Sequence, residues 1–359
     1  MISLLVVDDS ALVRKLLGQV FAAQGDFQVS FARSGKEALA AIAVAVPDVV
    51  TLDVHMPELD GLQCLDRIMI EHPCPVIMVS SMTADGADAT LEALRLGAVD
   101  FVAKPSGAVS LRIDELATEL VAKVRQAAGA KLRPSLRLRE RVRHRISSAP
   151  RVPASRKKAS PAVAPATGEG VVLVGTSTGG PPALEALLTK LPATFPWPIV
   201  VAQHMPATFT GSLARRLDGI CQVTVVEVTA VTVLQPGHVY VGRGDADIIV
   251  SKRKAALVAM PAPAEAYPWH PSADRLVKSA MNLVDASQLV GILMTGMGND
   301  GAEAMSVLRS KGGRTIAEAE ETAVVWGMPG ELVKAGGADF VTPLPGIAAQ
   351  LLKLVPPCL

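Results

Sequence analysis

Three apolar runs in the second half of the chain each end on a residue type that can move a proton or carry an acyl group. Val171-Val172-Leu173-Val174-Gly175 leads to Ser177, and Pro198-Ile199-Val200-Val201-Ala202 leads to His204. Leu289-Val290-Gly291-Ile292-Leu293-Met294 leads to a glycine-rich turn holding Asp300. In an open parallel α/β sheet, ligands sit outside the carboxyl ends of the strands. A nucleophile, a base and an orienting carboxylate would then converge, which points to a hydrolase.

Gly175-Thr176-Ser177-Thr178-Gly179-Gly180 fits the G-x-S-x-G elbow, whose glycines let the chain turn sharply from strand to helix and lift the serine oxygen. A helix beginning near Gly180-Pro181-Pro182 would aim unpaired N–H groups at the same place, with the Thr178 N–H set as an oxyanion donor. The segment has a second reading as a phosphate cradle, although it lacks the Walker lysine and the G-x-G-x-x-G spacing. The base discriminates between the two. His55, His72 and His144 lie in the first half or the linker, which leaves His204, His238 and His270. His204 ends a buried-type strand next in sequence to the serine's. His238 starts an edge-type strand after Pro236-Gly237, and His270 sits in the loop Trp269-His270-Pro271-Ser272. His204 is therefore the expected base, and Asp300 would hold its tautomer and stabilise the imidazolium. The chain order Ser…His…Asp differs from the Ser…Asp…His of α/β-hydrolases, so the expected fold is another one with convergent chemistry.

The first half suggests a control device. Asp8 and Asp9 close a first apolar run, Asp53 closes a third, and Ser80 and Lys104 follow the fourth and fifth. Strand ends of a parallel sheet meet on one edge, so three carboxylates, a hydroxyl and an ammonium would form a hard-cation pocket with room for a phosphoryl group. Mg²⁺ suits such oxygen ligands. Asp53 would take the phosphoryl group as an acyl phosphate, Lys104 would offset developing charge, and Ser80 would hydrogen-bond a phosphoryl oxygen.

The elements that must position these residues follow from periodicity. Strands are expected at Leu4–Val7, Gln28–Ala32, Val49–Leu52, Val76–Val79 and Asp100–Val102, alternating with helices, the last over about 111–127. That is a five-stranded doubly wound α/β sheet over residues 1–128. From 129 to 168 periodicity gives way to Pro, Ser, Ala and Arg, which predicts a flexible basic linker. From 169 to 359 βα alternation resumes, with further strands at Val223–Val228, His238–Val241, Asp247–Val250, Leu257–Met260, Arg314–Ala317 and Asp339–Val341. The close spacing over 223–260 predicts a β-hairpin insertion at one edge of a mostly parallel sheet.

Composition removes several classes of function. With 359 residues, half of them hydrophobic, the chain can bury two proper cores. No apolar run approaches the roughly 20 residues that span a bilayer. The start, Met1-Ile2-Ser3-Leu4-Leu5-Val6-Val7-Asp8-Asp9, has no basic n-region, so a soluble, cytoplasmic protein without membrane insertion is expected. Cys64, Cys74, Cys221 and Cys358 show no metal or redox spacing and read as inert thiols. From Lys131 to Lys158 eleven Lys and Arg face one acid, so this strap carries +10 of a formal +1 and the rest carries −9. Nucleic-acid binding through the strap is the competing reading, but only 3% of residues are aromatic and no helix-turn-helix is evident, so no nucleic-acid partner is expected. Nothing suggests an obligate interface, and a monomer is expected.

Asp8-Asp9, Asp53-Val54-His55-Met56-Pro57 with Asp60-Gly61, Ser80-Ser81 and Lys104-Pro105 resemble the receiver domain of two-component response regulators. The resemblance implies that His55 lends a backbone carbonyl to the metal and that Phe101 rotates with the hydroxyl residue on phosphorylation. Gly175–Gly180, Gln203-His204-Met205-Pro206, Pro271-Ser272-Ala273-Asp274, the run Leu293–Gly301 and Gly327-Met328-Pro329 resemble the catalytic domain of the chemotaxis protein-glutamate methylesterases. It implies Ser177 as nucleophile, His204 as general base and Asp300 as third member, with Thr178 and Met297 supporting the oxyanion. It further implies demethylation of γ-glutamyl methyl esters on chemoreceptor cytoplasmic helices, deamidation of receptor glutamines by many members, a histidine kinase as phosphodonor, and no cofactor for the esterase chemistry. Where the family often reads Ala-Pro-Gly-Asp, this chain has Val241-Gly242-Arg243-Gly244-Asp245. An alternative from another class is a phosphorylation-gated scaffold that binds receptors without turnover.

Overall fold

The computed structural model describes residues 1–81, 83–104, 113–130, 170–265, 267 and 269–355. The basic linker expected at 129–168 lies outside the described residues except for its first two, and so does Cys358. Cys64, Cys74 and Cys221 are buried, and burial pushes the Cys64 and Cys74 thiols up to about 12.

The amino-terminal unit has strands β1 (Ile2–Val7), β2 (Phe27–Ala32), β3 (Val49–Asp53), β4 (Val76–Ser81) and β5 (Asp100–Lys104). Helices α1 (Ala11–Ala22), α2 (Gly35–Val44), α3 (Gly61–Glu71), α4 (Ala84–Leu96) and α5 (Ile113–Ala128) alternate with them. The sheet is parallel in the order β2-β1-β3-β4-β5. Its middle strand Val49–Asp53 is buried throughout, as a run covered on both faces must be. The helices begin where side chains satisfy orphan N–H groups, with Ser10, Ser34, Asp60 and Thr83 accepting from Val13, Glu37, Gln63 and Gly86.

The second unit contains β6 (Val171–Thr176), α6 (Gly180–Leu188), β7 (Ile199–Gln203), α7 (Ala207–Ile220), β8 (Thr224–Val228), β9 (Thr232–Val233), β10 (His238–Gly242), β11 (Asp247–Arg253) and β12 (Ala256–Ala262). It continues with α8 (Ala273–Met281), β13 (Leu289–Leu293), α9 (Ala302–Ser310), β14 (Arg314–Glu318), α10 (Met328–Lys334), β15 (Phe340–Thr342) and α11 (Leu344–Leu354). Seven strands form one parallel sheet in the order β15-β14-β13-β6-β7-β10-β8. Strand order reverses at β6, which lies between β7 and β13. This is the switch point where an α/β sheet opens a crevice. Of the closely spaced strands over 223–260, two join the parallel sheet at its edge. The antiparallel pair β11–β12 instead takes up the two-residue β9 and makes a separate three-stranded sheet.

The two units share apolar packing. One buried cluster runs from Leu91, Leu94 and Phe101 of the first into Leu187, Phe209, Leu213 and Leu217 of the second. The rings of Phe101 and Phe209 lie 4.4 Å apart. Val324 packs against the other core of the first unit.

Candidate active site and the receiver site

Ser177, His204 and Asp300 leave the carboxyl ends of three consecutive strands, β6, β7 and β13, as the parallel-strand reading requires. Register aligns these ends, with Gly175 opposite Leu293 and Thr176 opposite Gln203. Three bonds fix the Ser177 backbone. Its N–H donates to Thr295 O at 3.0 Å, and its carbonyl accepts from Gly180 N at 2.8 Å and Gln203 Nε2 at 3.0 Å. Gly179 takes φ +75°, a left-handed turn that a side chain would strain, and α6 starts directly after it. The serine is thus held on a rigid elbow while its side chain is left partly exposed.

The His204 N–H donates to Thr176 O at 3.0 Å, and its Nε2 lies 2.8 Å from Asp300 Oδ2. The other ring nitrogen, Nδ1, is buried without a hydrogen-bond partner. A carboxylate can only accept, so Nε2 carries the proton and Nδ1 presents a lone pair. Trp269 stacks on the imidazole with ring centres 5.9 Å apart and planes 10° from parallel. At Gly298 (φ +78°) an added Cβ would come within 2.6 Å of the indole, so the glycine makes room for this stack.

Asp300 is buried and fully engaged. Oδ1 accepts from Ser272 Oγ at 2.9 Å and Asp274 N at 3.0 Å, while Oδ2 accepts from Ala273 N at 2.6 Å besides His204. The first turn of α8 therefore grips the carboxylate, a favourable place for an anion. Burial alone would raise its pKa, but the His204 bond and charge together with the Asp274 and Ala273 N–H groups outweigh it and hold the carboxyl below its ordinary value. His238 and His270 are occupied elsewhere, on Pro236 O and Asp247 Oδ1 at 2.9 and 2.8 Å.

Thr178 is buried; its carbonyl accepts from Thr295 Oγ1 at 2.8 Å, and its hydroxyl donates to Asp100 Oδ2 of β5 across the boundary between the units. Asp100 Oδ1 also accepts from Phe101 N at 2.7 Å and lies 3.5 Å from Lys123 Nζ. Farther along the boundary, Arg216 reaches Glu92 at 3.5 Å and Glu185 at 3.8 Å. Met297 sits half-buried in the turn between Gly296 and Gly298.

In the first unit, carboxylate oxygens of Asp8, Asp9 and Asp53 lie within 4.8 Å of one another. Lys104 Nζ bridges Asp53 Oδ2 at 2.8 Å and Asp8 Oδ2 at 2.9 Å. Burial raises the Asp53 pKa despite Lys104, with the Asp8 charge adding to the rise. Lys104 is raised too, because the two carboxylates outweigh its burial. Ser80 is buried and donates to Gly86 O at 3.2 Å, while His55 is exposed with its N–H 3.3 Å from Asp53 Oδ1. Asp8, Asp9, Asp53 and Lys104 thus come together at one sheet edge, with Ser80 near the end of the neighbouring β4 and its hydroxyl on Gly86 O.

Gln203, Ser272, Thr295, Glu318, Trp269 and Asp100 were not assigned individual roles from sequence. Ser272 carried a visible signal, an N-cap hydroxyl before a helical run. The others are single polar or aromatic residues near strand ends or, for Trp269, in a loop, and their partners lie far away in sequence.

The geometry agrees with comparisons to known proteins. The family model for CheB methylesterase matches residues 172–351, and that for the response regulator receiver domain matches residues 4–114. The chain is 57% identical over 358 residues to protein-glutamate methylesterase/protein-glutamine glutaminase 2 of Rhodopseudomonas palustris, covering 98% of each. It is 50% identical to the corresponding protein 3 of Rhodospirillum rubrum, over 98% of this chain and 95% of that one. The crystal structure of the Thermotoga maritima CheB methylesterase catalytic domain superposes with a TM-score of 0.50 at 36% identity, covering 52% of this chain and 98% of that domain.

Proposed function

Because the chain belongs to the CheB methylesterase family and carries a receiver domain in front, we propose that it is a phosphorylation-activated serine esterase acting on γ-glutamyl methyl esters of chemoreceptor helices. The observation that carries this is the 2.8 Å His204–Asp300 pair, with Nδ1 left free, at the strand end beside the Ser177 elbow. Ser177 Oγ attacks the ester carbonyl as its proton passes to His204 Nδ1. The C–O bond to the methoxy group breaks, and the imidazolium returns the proton, releasing methanol. Water then gives a proton to the same nitrogen and attacks the glutamyl-serine ester, so that glutamate leaves and Ser177 is restored. Asp300 holds the tautomer and offsets the imidazolium charge. Thr178 and Met297 support the oxyanion. With a glutamine side chain the same steps release ammonia, which is deamidation.

Asp53 is the phosphoacceptor and a histidine kinase the donor. The three clustered carboxylates are hard oxygen ligands that fit Mg²⁺, held by Asp8, Asp9, Asp53 and the His55 carbonyl. When bound, the ion would offset charge on the transferring phosphoryl oxygens; Lys104 does the same from the other side, Ser80 engages the phosphoryl group, and Phe101 moves with it. The esterase chemistry uses no cofactor. The units divide as receiver 1–128, linker 129–168 and catalytic domain 169–359, in a monomeric cytoplasmic enzyme with no nucleic-acid partner. Among the described residues no helix is long and apolar enough to cross a membrane. In the unphosphorylated form the receiver packs beside the elbow through Asp100 and Phe101, and phosphorylation shifts the population toward an undocked, active form. No observation favours a scaffold without turnover. Methanol release from methylated receptor membranes tests the reading: Ser177→Ala should abolish it and Asp53→Ala should abolish stimulation by a phosphodonor. A Ser177→Ala protein that kept full methanol release would end it.

A further inference from the structure

Behind the elbow lies a buried polar group for which the mechanism has no use. Glu318, at the end of β14, has no solvent exposure. Its Oε2 accepts from Thr295 N at 2.8 Å and its Oε1 from Thr322 Oγ1 at 3.0 Å. A carboxylate withdrawn from water costs several kcal/mol unless donors compensate it, and burial raises the pKa of this one. Such a group is retained where a fixed acceptor is needed.

The residue it holds is a hub. Thr295 stands two residues past β13 and five before Asp300, and each of its polar atoms is committed. Its N–H goes to Glu318, its carbonyl accepts the Ser177 N–H at 3.0 Å, and its hydroxyl donates to Thr178 O at 2.8 Å. The hydroxyl also accepts from Val325 N at 3.1 Å. One residue therefore grips the backbone of the nucleophile and of the oxyanion residue, and one buried carboxylate grips that residue. Gln203 makes the matching grip from the opposite strand, donating to Ser177 O and His204 O, each at 3.0 Å.

We propose that Thr295, anchored by Glu318, is a positioning residue for the ester hydrolysis: by holding the Ser177 N–H on one side and the Thr178 carbonyl on the other, it fixes the two-residue turn that aims the Thr178 N–H at the oxyanion. The inference rests on the serine-esterase reading above. An oxyanion donor acts on charge that exists only in the transition state, so misplacing it lowers kcat and leaves ground-state binding alone. Removing the Thr295 hydroxyl frees the Thr178 carbonyl, and the turn can then relax about Thr178, shifting its N–H, one peptide unit earlier. Removing a whole oxyanion donor costs about 10²–10³ in kcat, and loosening one should cost less, roughly 10- to 100-fold.

The test is steady-state hydrolysis, by the full chain with phosphodonor present, of a peptide carrying a γ-glutamyl methyl ester. Thr295→Val keeps the volume and removes the hydroxyl; kcat should fall about 10- to 100-fold with KM changed less than about threefold. Thr295→Ser restores the hydroxyl without the methyl and should recover most of kcat. Equal losses in the Val and Ser variants would assign the effect to packing and overturn the proposal. So would a Thr295→Val enzyme with wild-type kcat while Ser177→Ala is inactive. Should Thr295→Val not fold, the pair Glu318→Met and Glu318→Gln decides. Glutamine keeps an acceptor for the Thr295 N–H and should stay close to wild type, whereas methionine should show the same kcat-selective loss. Equal kcat in that pair sinks the inference. An active Ser177→Ala would instead bring down the esterase reading, and this inference with it.

Discussion

Asp100→Ala should release the catalytic domain without a phosphoryl group. Asp100 belongs to the receiver, so the substitution changes no residue of the catalytic domain; across the boundary it removes the acceptor of the Thr178 hydroxyl, and within the receiver the local contacts to Phe101 N–H and Lys123. A hydrogen bond to a charged group contributes about 1.5–3 kcal/mol net. Since roughly 1.4 kcal/mol is tenfold in an equilibrium constant, the docked-to-undocked ratio should fall about 10- to 150-fold. While docking dominates, the basal rate is proportional to the undocked fraction and should rise by that factor, up to the rate of the isolated 169–359 fragment. Lys123 keeps Glu119 at 3.0 Å and Phe101 O at 2.7 Å, so the variant does not strand a charge. The assay compares methanol release by wild type, Asp100→Ala and the fragment, each with and without a phosphodonor. Stimulation by phosphodonor should shrink by the factor that the basal rate gains. A basal rate equal to wild type, with receiver phosphorylation intact, would refute the claim that this bond holds the domains together.

Asp300→Asn should lower kcat by up to about 10⁴-fold, because an amide can donate toward Nε2 and select the wrong imidazole tautomer; stopped-flow or steady-state hydrolysis measures it. The same variant should change acid stability. The folded pKa of Asp300 lies below its unfolded value, so its contribution is present above the unfolded pKa and is lost as pH falls through the folded one. Urea titrations below the ordinary carboxylate range should show wild type losing stability faster than Asp300→Asn. Trp269→Leu removes the ring stacked on His204, where a face-on aromatic stabilises the transient imidazolium by about 0.5–2 kcal/mol, so kcat should fall about 2- to 30-fold and Trp269→Phe should recover part of it. Equal kcat for the Leu and Phe variants would show that the stack contributes nothing.

The fold was legible where burial sets a local period. Val49–Asp53 and Val171–Thr176 are mostly apolar and buried throughout because both faces of a parallel sheet are covered, and their ends marked where Asp53 and Ser177 would stand. Strand-end residues of chemically distinctive type were legible for the same reason. What stayed hidden depends on which distant group a polar atom meets. Thr178 and Asp100 are 78 residues apart, and Thr295 and Thr178 are 117 apart. Glu318 ends a short strand and looks solvent-facing in sequence, yet it is wholly enclosed. The two-residue β9 carries too few alternations to show a period, so the third sheet could not be separated from the edge of the parallel one.

Two adjacent receiver residues give the proposed switch a route to the serine. Asp100 grips Thr178, one residue from the nucleophile, while Phe101 packs on Phe209 of α7. The Phe101 N–H in turn binds Asp100, and Lys123 spans both, with its ammonium 5.3 Å from the Phe101 ring centre and 3.5 Å from Asp100. A rotation of the Phe101 ring would change what Lys123 packs against, and Lys123 is the group that links the ring to the Asp100 carboxylate. The boundary beyond them is held mostly by apolar contacts and by the long, half-exposed Arg216 pairs, which contribute little each. The boundary thus joins one charged hydrogen bond and one aromatic contact beside the elbow to a wider apolar contact. On the proposed reading, a phosphoryl group on Asp53 acting through Ser80 and Phe101 must shift the docking equilibrium by about 5.5 kcal/mol to turn a 1:99 ratio into 99:1.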